Sequence, residues 1–388
     1  MSAIDDRDST FILPHPSREV GAPTRGTIHR AVTAAAMREQ IALAAIAILS
    51  ALLALFRLDR EGYGNTYDAA AVRSMTKSWH NFFLVSFDPG GFVSVDKPPV
   101  GLWVQALSAK LFGFGGMSVL VPQAVTTVGS VLLLSALVRR VFGPVAALGA
   151  ALALAVAPIN VVTSRNNTAD ALLVFVLLAA AWLVSRAADQ GSLGWLVTGF
   201  VLVGVGFNSK MLQAYLVLPA FGLLVLLAPS IGFRRRVVNL SVATVALLVV
   251  SFSWATIVEL THADARPYAG SSEGNSVSNL IFGYNGLQRL LPNGWTIFGL
   301  GGGASGNRDG GRVGGVGENG ARGILRLVND NLGGQIGWLL PLAVAGLIAG
   351  WGWPVRGRFD RRRQALVLWG GWLVTQVAFF SVASFYHR

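Results

Sequence analysis

The run from Ser78 to Trp103, SWHNFFLVSFDPGGFVSVDKPPVGLW, carries the side chains of this chain best suited to chemistry. It holds two carboxylates, Asp88 and Asp96, and one lysine, Lys97, directly before a Pro-Pro pair. A carboxylate can take a proton from an attacking group, and a nearby cation can hold a departing anion. Charged groups are expensive to place beside hydrocarbon, so their density between apolar segments indicates a functional site.

The composition predicts a membrane protein. Apolar residues make up 53% of the chain and charged residues only 13%, in long uncharged runs that a soluble protein rarely contains. The absence of cysteine excludes disulfides, thiolate nucleophiles and Cys-based zinc sites within this chain. The net charge of +12 falls largely in arginine clusters at the ends of apolar runs. That placement is typical of cytoplasmic loops, and we expect no nucleic acid partner.

The apolar runs predict an all-α, polytopic transmembrane helical bundle of about nine spans, because a chain in lipid must satisfy its own backbone hydrogen bonds. The predicted spans are 40–57, 117–138, 143–160, 168–188, 193–208, 212–229, 237–258, 335–352 and 365–384. Residues 1–39 are polar and are predicted to form a flexible cytoplasmic tail. Residues 40–388 form the predicted membrane domain.

Arginines in alternate loops predict a multi-pass protein of the plasma membrane with a cytoplasmic N-terminus. The outer side then holds a first outer loop, 58–116, and a glycine-rich outer loop, 259–334. The candidate site residues all fall on that extracytoplasmic face: Asn65, Tyr67, Asp68, His80, Asp88, Asp96, Lys97, Arg165, Asp170 and Lys210. This gathering of carboxylates, cations and aromatics predicts a site that opens outward.

Two helices are predicted to lie in the membrane interface and to bracket the charged run. Residues 67–87 have the apolar and basic pattern of an amphipathic helix. Val100–Phe112 is apolar but too short to span, and Pro98-Pro99 suits the first turn of a helix. These helices either hold the segment DPGGFVSVDKPP against the membrane or merely float there.

Three segments in this order carry a resemblance to a known family: DKPPVGLWVQALSAKLFG, SRNNTADALLVF and GFNSKMLQAY. The chain resembles the glycosyltransferase C (GT-C) superfamily. Within it, the chain is similar to bacterial family 39, which holds relatives of protein mannosyltransferases and lipid A aminoarabinose transferases. The run GN-x-Y-x-AAAV-x-SM, followed by SWHNFF and SFDPGGFVSVDKPP, looks like a bacterial mannosyltransferase branch of that family. The resemblance extends from Gly62 to the last residue.

The resemblance implies a transferase that moves a sugar, mannose or pentose-like, from a polyprenyl-phosphate donor on the outer face of the bilayer. The acceptor, whether glycan, lipid or protein, stays open. Relatives usually carry an Asp-Glu pair where Gly64 and Asn65 stand, and close relatives often have tyrosine in place of Asp68. The acidic role must then pass to Asp68, Asp88 or Asp96. Relatives also continue with more helices after the motif at SFYHR, which implies that this chain is truncated at its C-terminus.

Transfer from a phosphate-linked sugar needs one base and a basic clamp, because the good leaving group makes a general acid unnecessary. Asp88 or Asp96 is the predicted base, with inversion at the anomeric carbon; the alternative is that both are solvated loop acids or helix caps. Asp170 matches an acidic position of the family, although a helix dipole alone could explain a carboxylate there. Lys97, Arg165 and Lys210 are predicted phosphate partners, with snorkelling as the alternative for the last two.

Asn65, Tyr67, Asp68 and His80 complete the predicted substrate site. His80 has no metal-ligand spacing, and the sequence identifies no cofactor; a divalent cation (Mg²⁺ or Mn²⁺) bound through oxygen ligands stays open. The glycine-rich run Gly299–Gly323 lacks the phosphate-loop pattern and is predicted to be a flexible loop or a lid.

Two other protein classes compete with the transferase. A transporter or flippase would place charges at the midplane and show internal repeats, neither of which is seen in the sequence. A non-catalytic cell-envelope assembly protein would not need the acidic cluster around KPP.

Overall fold

The computed structural model describes residues 25–272, 274–282, 323–334, 337–352 and 360–383. The chain divides into two units, Met1–Ala42 and Leu43–Arg388, and the candidate site lies in the second. The glycine-rich stretch 299–322 and residues 1–24 of the predicted tail lie outside the described residues. Helix α1 (Arg25–Leu55) makes residues 25–39 helical where a flexible tail was predicted. The alanine-rich sequence AVTAAAMREQ explains this, because alanine is the strongest helix former.

The described part of the chain is built from helices, in agreement with the prediction of an all-α bundle. After α1 come α2 (Thr66–Met75), α3 (Trp79–Phe83), α4 (Pro99–Phe112), α5 (Gly116–Phe142), α6 (Pro144–Val156), α7 (Pro158–Ser164), α8 (Asp170–Gln190), α9 (Leu193–Lys210), α10 (Leu218–Leu227), α11 (Phe233–Leu260), α12 (Leu340–Gly352) and α13 (Arg361–Val382). Shorter turns of helix lie between some of them.

Six described stretches are long and apolar enough to cross a membrane: Thr33–Glu61, Gly116–Phe142, Asp170–Gln190, Leu193–Leu227, Phe233–Leu260 and Arg361–Val382. The pair α6–α7, bent by 60° at Pro158, makes a seventh if it counts as one span. Proline explains the bend, because its ring removes a helical hydrogen bond. Helix α12, at 13 residues, is shorter than the predicted span 335–352 and than the roughly 20 residues a crossing needs.

The stretch Leu193–Leu227 reverses direction at Met211, whose φ of 45° lies in the left-handed region. Phe207 stacks on Tyr215 at 4.8 Å, and the rings of Phe200 and Phe221 lie 6.4 Å apart. A straight helix would separate positions 200 and 221 by about 31 Å. Helices α9 and α10 are therefore an antiparallel pair, which accounts for the two predicted spans 193–208 and 212–229.

Small residues let the central helices approach closely. A Cβ on Gly199 of α9 would lie 2.8 Å from Val184 Cγ2 of α8, and one on Gly204 would lie 3.0 Å from the carbonyl oxygen of Leu247 in α11. Close packing of this kind is typical of helices in membranes. It brings the start of α8 and the end of α9 together at one end of the bundle.

The first outer loop is helical as predicted, with one difference. The expected helix 67–87 is two helices, α2 and α3, and the break falls at Ser78. The Ser78 hydroxyl caps α3 by accepting a hydrogen bond from the backbone N–H of Asn81 at 3.0 Å. Helix α4 begins at Pro99, close to the predicted start at Val100. The isolated β-bridge Ser86–Ser94 closes the segment between α3 and α4 on itself, and a second bridge, Val93–Tyr268, ties that segment to the chain after α11.

Candidate active site

A buried pair of carboxylates, Asp68 and Asp96, lies where α2 begins; we call it the acid pair. Asn65 caps α2, because its side-chain oxygen accepts from the backbone N–H groups of Tyr67 at 3.0 Å and Asp68 at 3.4 Å. The backbone N–H of Asp96 donates to the Tyr67 hydroxyl at 3.4 Å. Asp68 is only 5% exposed and Asp96 only 8%. The start of α2 and the segment before α4 thus place two carboxylates in one poorly hydrated region.

Burial raises the pKa of Asp68 to about 6. The charge of Lys97 opposes this shift, that of Asp96 adds to it and that of Lys210 opposes it. Asp68 Oδ1 has no hydrogen-bond partner among the described residues. Burial, and next the charge of Asp96, also raises the pKa of the Tyr67 phenol. Asp68 is therefore ionised at neutral pH yet basic enough to take a proton from a reacting group.

Two lysines face the acid pair. Lys97 Nζ lies 3.4 Å from Asp96 Oδ1, and its side chain is 41% exposed. Lys210, the last residue of α9, forms an ion pair with Asp170, the first residue of α8. The structure therefore brings together five predicted site residues besides Tyr67: Asp68, Asp96, Lys97, Asp170 and Lys210. This arrangement can accept a proton and hold an anion at the same place.

Gly101 lets α4 approach the start of α8 and the end of α9. A Cβ at this position would lie 2.8 Å from Ala169 Cβ and 3.7 Å from Ser209 Oγ. These two residues directly precede Asp170 and Lys210. The glycine therefore positions the segment that carries Lys97 against the Asp170–Lys210 pair.

We expect Gly101→Ala to lower the unfolding free energy by about 1 kcal/mol, because overpacking exceeds the gain in helix propensity. Thermal unfolding in detergent measures this effect. Gly222→Ala in α10 is the matched control, since nothing lies within 4 Å of a Cβ there. A midpoint for Gly101→Ala at or above that of the control would contradict the close approach of α4.

Asp88, one of the two predicted bases, closes a turn of its own loop. Its Oδ2 accepts hydrogen bonds from the backbone N–H groups of Phe92 at 3.0 Å and Val93 at 2.9 Å. Desolvation raises the pKa of Asp88, but these bonds and one from Gly90 outweigh it, so the net pKa is lowered. A lowered pKa makes a weak base. The prediction that Asp88 is catalytic stays untested, and the geometry gives the carboxylate a role in holding the turn.

We expect Asp88→Ala to lower the midpoint of thermal unfolding by a few degrees and, in an assay of the transferase activity that the resemblance implies, to leave the rate within about threefold of wild type. The reason is that the substitution removes hydrogen bonds to a charged acceptor at an exposed site, worth about 1 kcal/mol. Unfolding scans and a transfer assay on the same preparation measure both effects. Loss of transfer without loss of stability would return Asp88 to the site.

Arg165, a predicted phosphate partner, binds to the end of α1 and to the chain that follows it. Its Nε and Nη2 donate to Glu61 Oε1 at 3.0 and 2.7 Å, and Nη1 donates to the carbonyl oxygens of Leu53 at 3.2 Å and Phe56 at 2.7 Å. Arginine commonly satisfies the last carbonyls of a helix in this way. The role of Arg165 as a phosphate partner stays a prediction. The sequence analysis did not single out Glu61.

Asn65 and His80 also bind neighbouring loops. The backbone N–H of Asn65 donates to Asn167 Oδ1 at 2.6 Å, and Asn167 Nδ2 donates back to the Asn65 carbonyl at 3.1 Å. His80 Nε2 lies 3.0 Å from the carbonyl oxygen of Ala265. These contacts fix the first outer loop against the α7–α8 turn and the chain after α11. Contact of either residue with substrate is untested.

Sequence reasoning missed Gln105, a fully buried amide in α4 that donates to the Asn167 carbonyl at 2.7 Å. A lone amide between the apolar residues Val104 and Ala106 was the available signal. In the described part of the chain, no group of three or more His, Cys, Asp or Glu side chains could hold a metal ion. Binding of Mg²⁺ or Mn²⁺ through oxygen ligands, which the sequence left open, stays untested.

Comparison with known proteins identifies relatives of this chain. Residues 96–254 match the family of dolichyl-phosphate-mannose-protein mannosyltransferases. Two Bacillus subtilis proteins, "Putative mannosyltransferase YycA" and "Putative mannosyltransferase YkcB", are each 39% identical over 90% of this chain. The chain spans only 61% and 59% of their lengths. An undecaprenyl phosphate-alpha-4-amino-4-deoxy-L-arabinose arabinosyl transferase of Pseudomonas aeruginosa is 32% identical over 44% of this chain and 32% of its own length.

The fold matches that of a solved membrane protein. ArnT from Cupriavidus metallidurans, crystallised with undecaprenyl phosphate, superposes with a TM-score of 0.58 at 20% identity. The match covers 89% of this chain and 55% of that one. The resemblance read from the sequence is therefore confirmed: this chain is a multi-span helical membrane protein related in sequence and fold to GT-C glycosyltransferases of the protein-mannosyltransferase and ArnT type.

Proposed function

We propose that this protein is a membrane glycosyltransferase that moves a sugar from a polyprenyl-phosphate donor to an acceptor hydroxyl or amine at the outer face. The observation that carries the proposal is the burial of Asp68 beside Asp96 and within reach of the charges of Lys97 and Lys210, which raises its pKa. Displacement of a phosphate requires a base that takes the proton of the acceptor and cations that hold the departing anion.

In the proposed reaction Asp68 takes the proton of the acceptor as its oxygen or nitrogen attacks the anomeric carbon. The bond from that carbon to the phosphate oxygen breaks, and its electron pair leaves with the polyprenyl phosphate. Lys97 stabilises the departing phosphate, and Asp170 orients Lys210 toward the same anion. A single displacement inverts the anomeric configuration. Asp96 holds Lys97 in place.

The choice of donor class rests on relatives. The Cupriavidus metallidurans ArnT was crystallised with undecaprenyl phosphate, and the Pseudomonas aeruginosa relative is named for an undecaprenyl-phosphate sugar. The proposed outer location rests on the arginine clusters in the alternate loops, which are typical of the cytoplasmic side. Mannose and aminoarabinose are the first sugars to try, since the relatives are named for them.

The test is transfer of radiolabel from polyprenyl-phosphate mannose and from the aminoarabinose donor to membrane extract by the purified chain. Label must pass to a new product with wild-type protein and not with Asp68→Asn. Transfer at equal rates by both proteins would reject the assignment of the base. Movement of intact donor across vesicles without transfer would replace the proposal with a flippase.

A further inference from the structure

A second charged cluster lies at the end of the bundle away from the acid pair. Arg140 lies in the last turn of α5, Arg186 and Asp189 lie near the end of α8, and Arg361 begins α13. Arg186 is about 24 Å along the α8 axis from Asp170, at 1.5 Å per residue. We call these three arginines the arginine cluster, and it takes no part in the reaction proposed above.

A single carboxylate, Asp189, pairs with two of the three guanidinium groups. Asp189 Oδ2 forms an ion pair with Arg140 Nη2 and lies 3.6 Å from Arg361 Nε. Arg186 and Arg361 both act on Arg140 as like charges, so each of them lies close to Arg140. One carboxylate against three cations leaves the cluster with an excess of positive charge.

Two donors of the cluster are buried without an acceptor. Arg140 Nη1 and Arg186 Nε have no hydrogen-bond partner within the described ranges of the chain. The neighbouring carboxylate of Asp360 is engaged, since it accepts from the backbone N–H of Arg363 at 3.0 Å and caps α13. Buried charged donors without acceptors are costly, and an anion that accepts from both would remove that cost.

The aromatic residues beside the cluster indicate its depth. The Arg186 guanidinium lies over the Trp182 ring at 4.8 Å, and Trp195 packs edge-on against Trp182 at 6.0 Å. Trp195 is 38% exposed. Tryptophan concentrates at the level of lipid headgroups. The unpaired donors therefore lie where the phosphates of a bilayer lie.

We propose that Arg140, Arg186 and Arg361 bind one phosphate group at the membrane face opposite the acid pair. The guanidinium fork matches phosphate oxygens, and three converging forks suit a phosphodiester or phosphomonoester better than a carboxylate. Asp189 holds Arg140 in the orientation that leaves its Nη1 for the anion. The bound phosphate links the ends of α5, α8 and α13, so it stabilises the folded chain by mass action.

Thermal unfolding of the whole chain in neutral detergent tests this proposal. The probes are phosphatidylglycerol, phosphatidylcholine and inorganic phosphate, each titrated separately. A higher midpoint with phosphatidylglycerol alone identifies a lipid headgroup as the source, and a rise with inorganic phosphate as well identifies a soluble phosphate. No rise with either anion overturns the proposal.

Substitutions localise the binding. Arg186→Gln is expected to weaken phosphatidylglycerol binding about tenfold, because it removes one charge-assisted hydrogen bond at a buried atom. Arg235→Gln is the matched control: it removes the same charge from an exposed arginine, and Arg236 beside it lines a small cavity with Ala188 at this end of the bundle. Equal weakening of phosphatidylglycerol binding in both variants would mean that the lipid responds to general surface charge, and this result would overturn the proposed site.

A second variant, Arg361→Gln, tests the proposal if Arg186→Gln does not fold. The Arg361 side chain is 67% exposed and lies 3.6 Å from Asp189, so Arg361→Gln removes no buried group. Its binding of phosphatidylglycerol is expected to fall at least about threefold. Unchanged binding would overturn the proposal. Neither readout uses sugar transfer, so the result is independent of the proposed transferase activity.

Discussion

Asp68→Asn is expected to lower the turnover number for sugar transfer by about 10²- to 10⁴-fold, the usual contribution of a general base. The amide fills the space of the carboxylate but cannot take a proton. Initial rates at saturating donor, measured with wild type and variant in the same detergent, give the ratio. A variant that keeps more than about a tenth of the rate would contradict the assignment.

The pH dependence follows from the same residue. Asp68 must be ionised to act as a base, and its pKa of about 6 means that it becomes protonated below that pH. We therefore expect kcat/KM of the wild type to fall about tenfold per pH unit below pH 6 and to level off above it. The residual rate of Asp68→Asn should not show this acid limb, that is, the fall in rate below pH 6.

As pH rises, the stability of the wild type should fall while its activity rises. The pKa of Asp68 rises on folding from 3.8 to about 6, so the folded state favours the protonated carboxyl. The wild type then loses stability as pH rises from about 4 to 6, and the full deficit, about 3 kcal/mol, is present above pH 6. Asp68→Asn should therefore unfold at a higher temperature than wild type at pH 8, with a smaller difference at pH 4.

Asp264→Asn is the matched control for these experiments. Its carboxylate follows α11, and its side chain is 92% exposed. The substitution removes the same charge from the predicted outer face without touching the acid pair. Rates, pH limb and unfolding midpoint should all stay at wild-type values, because an exposed carboxylate is screened by water and salt.

Hydropathy and charge predicted the helices but not all of their ends. Long apolar runs determine spans such as α5, α8 and α11 because lipid leaves the backbone no other way to satisfy its hydrogen bonds. The early start of α1 at Arg25 depends on helix propensity, which a search for apolar runs ignores. The described helix α12, Leu340–Gly352, begins five residues after the predicted start of its span at 335 and ends where that span was predicted to end.

The sequence predicted which residues belong to the candidate site, but it did not predict how they contact one another. Lys97, Asp170 and Lys210 were predicted from motif positions, and they meet because α4, α8 and α9 converge. The partners of Arg165 could not be predicted, because Glu61 lies 104 positions away and no sequence spacing records that contact. Asp68 was given little weight because relatives often have tyrosine there. Only burial reveals its raised pKa.

The contacts of Asp88, unlike those of Arg165, could be predicted from the local sequence. Asp-Pro-Gly-Gly is a turn signature, and aspartate at the first position of a turn commonly binds the backbone N–H groups that follow. Applied to Asp88, this rule predicts the bonds to Phe92 and Val93. Proximity to the KPP motif outweighed it in the sequence analysis. Local turn chemistry therefore accounts for the hydrogen bonds of Asp88, while its predicted role as the base stays untested.

Lys97→Gln is expected to lower kcat/KM for the polyprenyl-phosphate donor by about 10²- to 10³-fold, the usual loss when one group that stabilises developing negative charge is removed. Lys97 also lowers the pKa of Asp68 through its charge. Its removal should therefore move the acid limb of the rate profile above pH 6. Rates measured from pH 5 to 9 at low donor concentration give both effects.

Lys77→Gln and Lys97→Arg separate the two effects of Lys97→Gln. Lys77 is an exposed lysine of the same loop, so its loss should change neither rate nor pH limb. Lys97→Arg keeps the charge and should return the limb to about pH 6, while the different shape of the guanidinium leaves donor binding impaired. A Lys97→Gln profile with an unshifted limb would mean that the lysine does not act on Asp68, and the base and the phosphate clamp would then have to be assigned to separate sites.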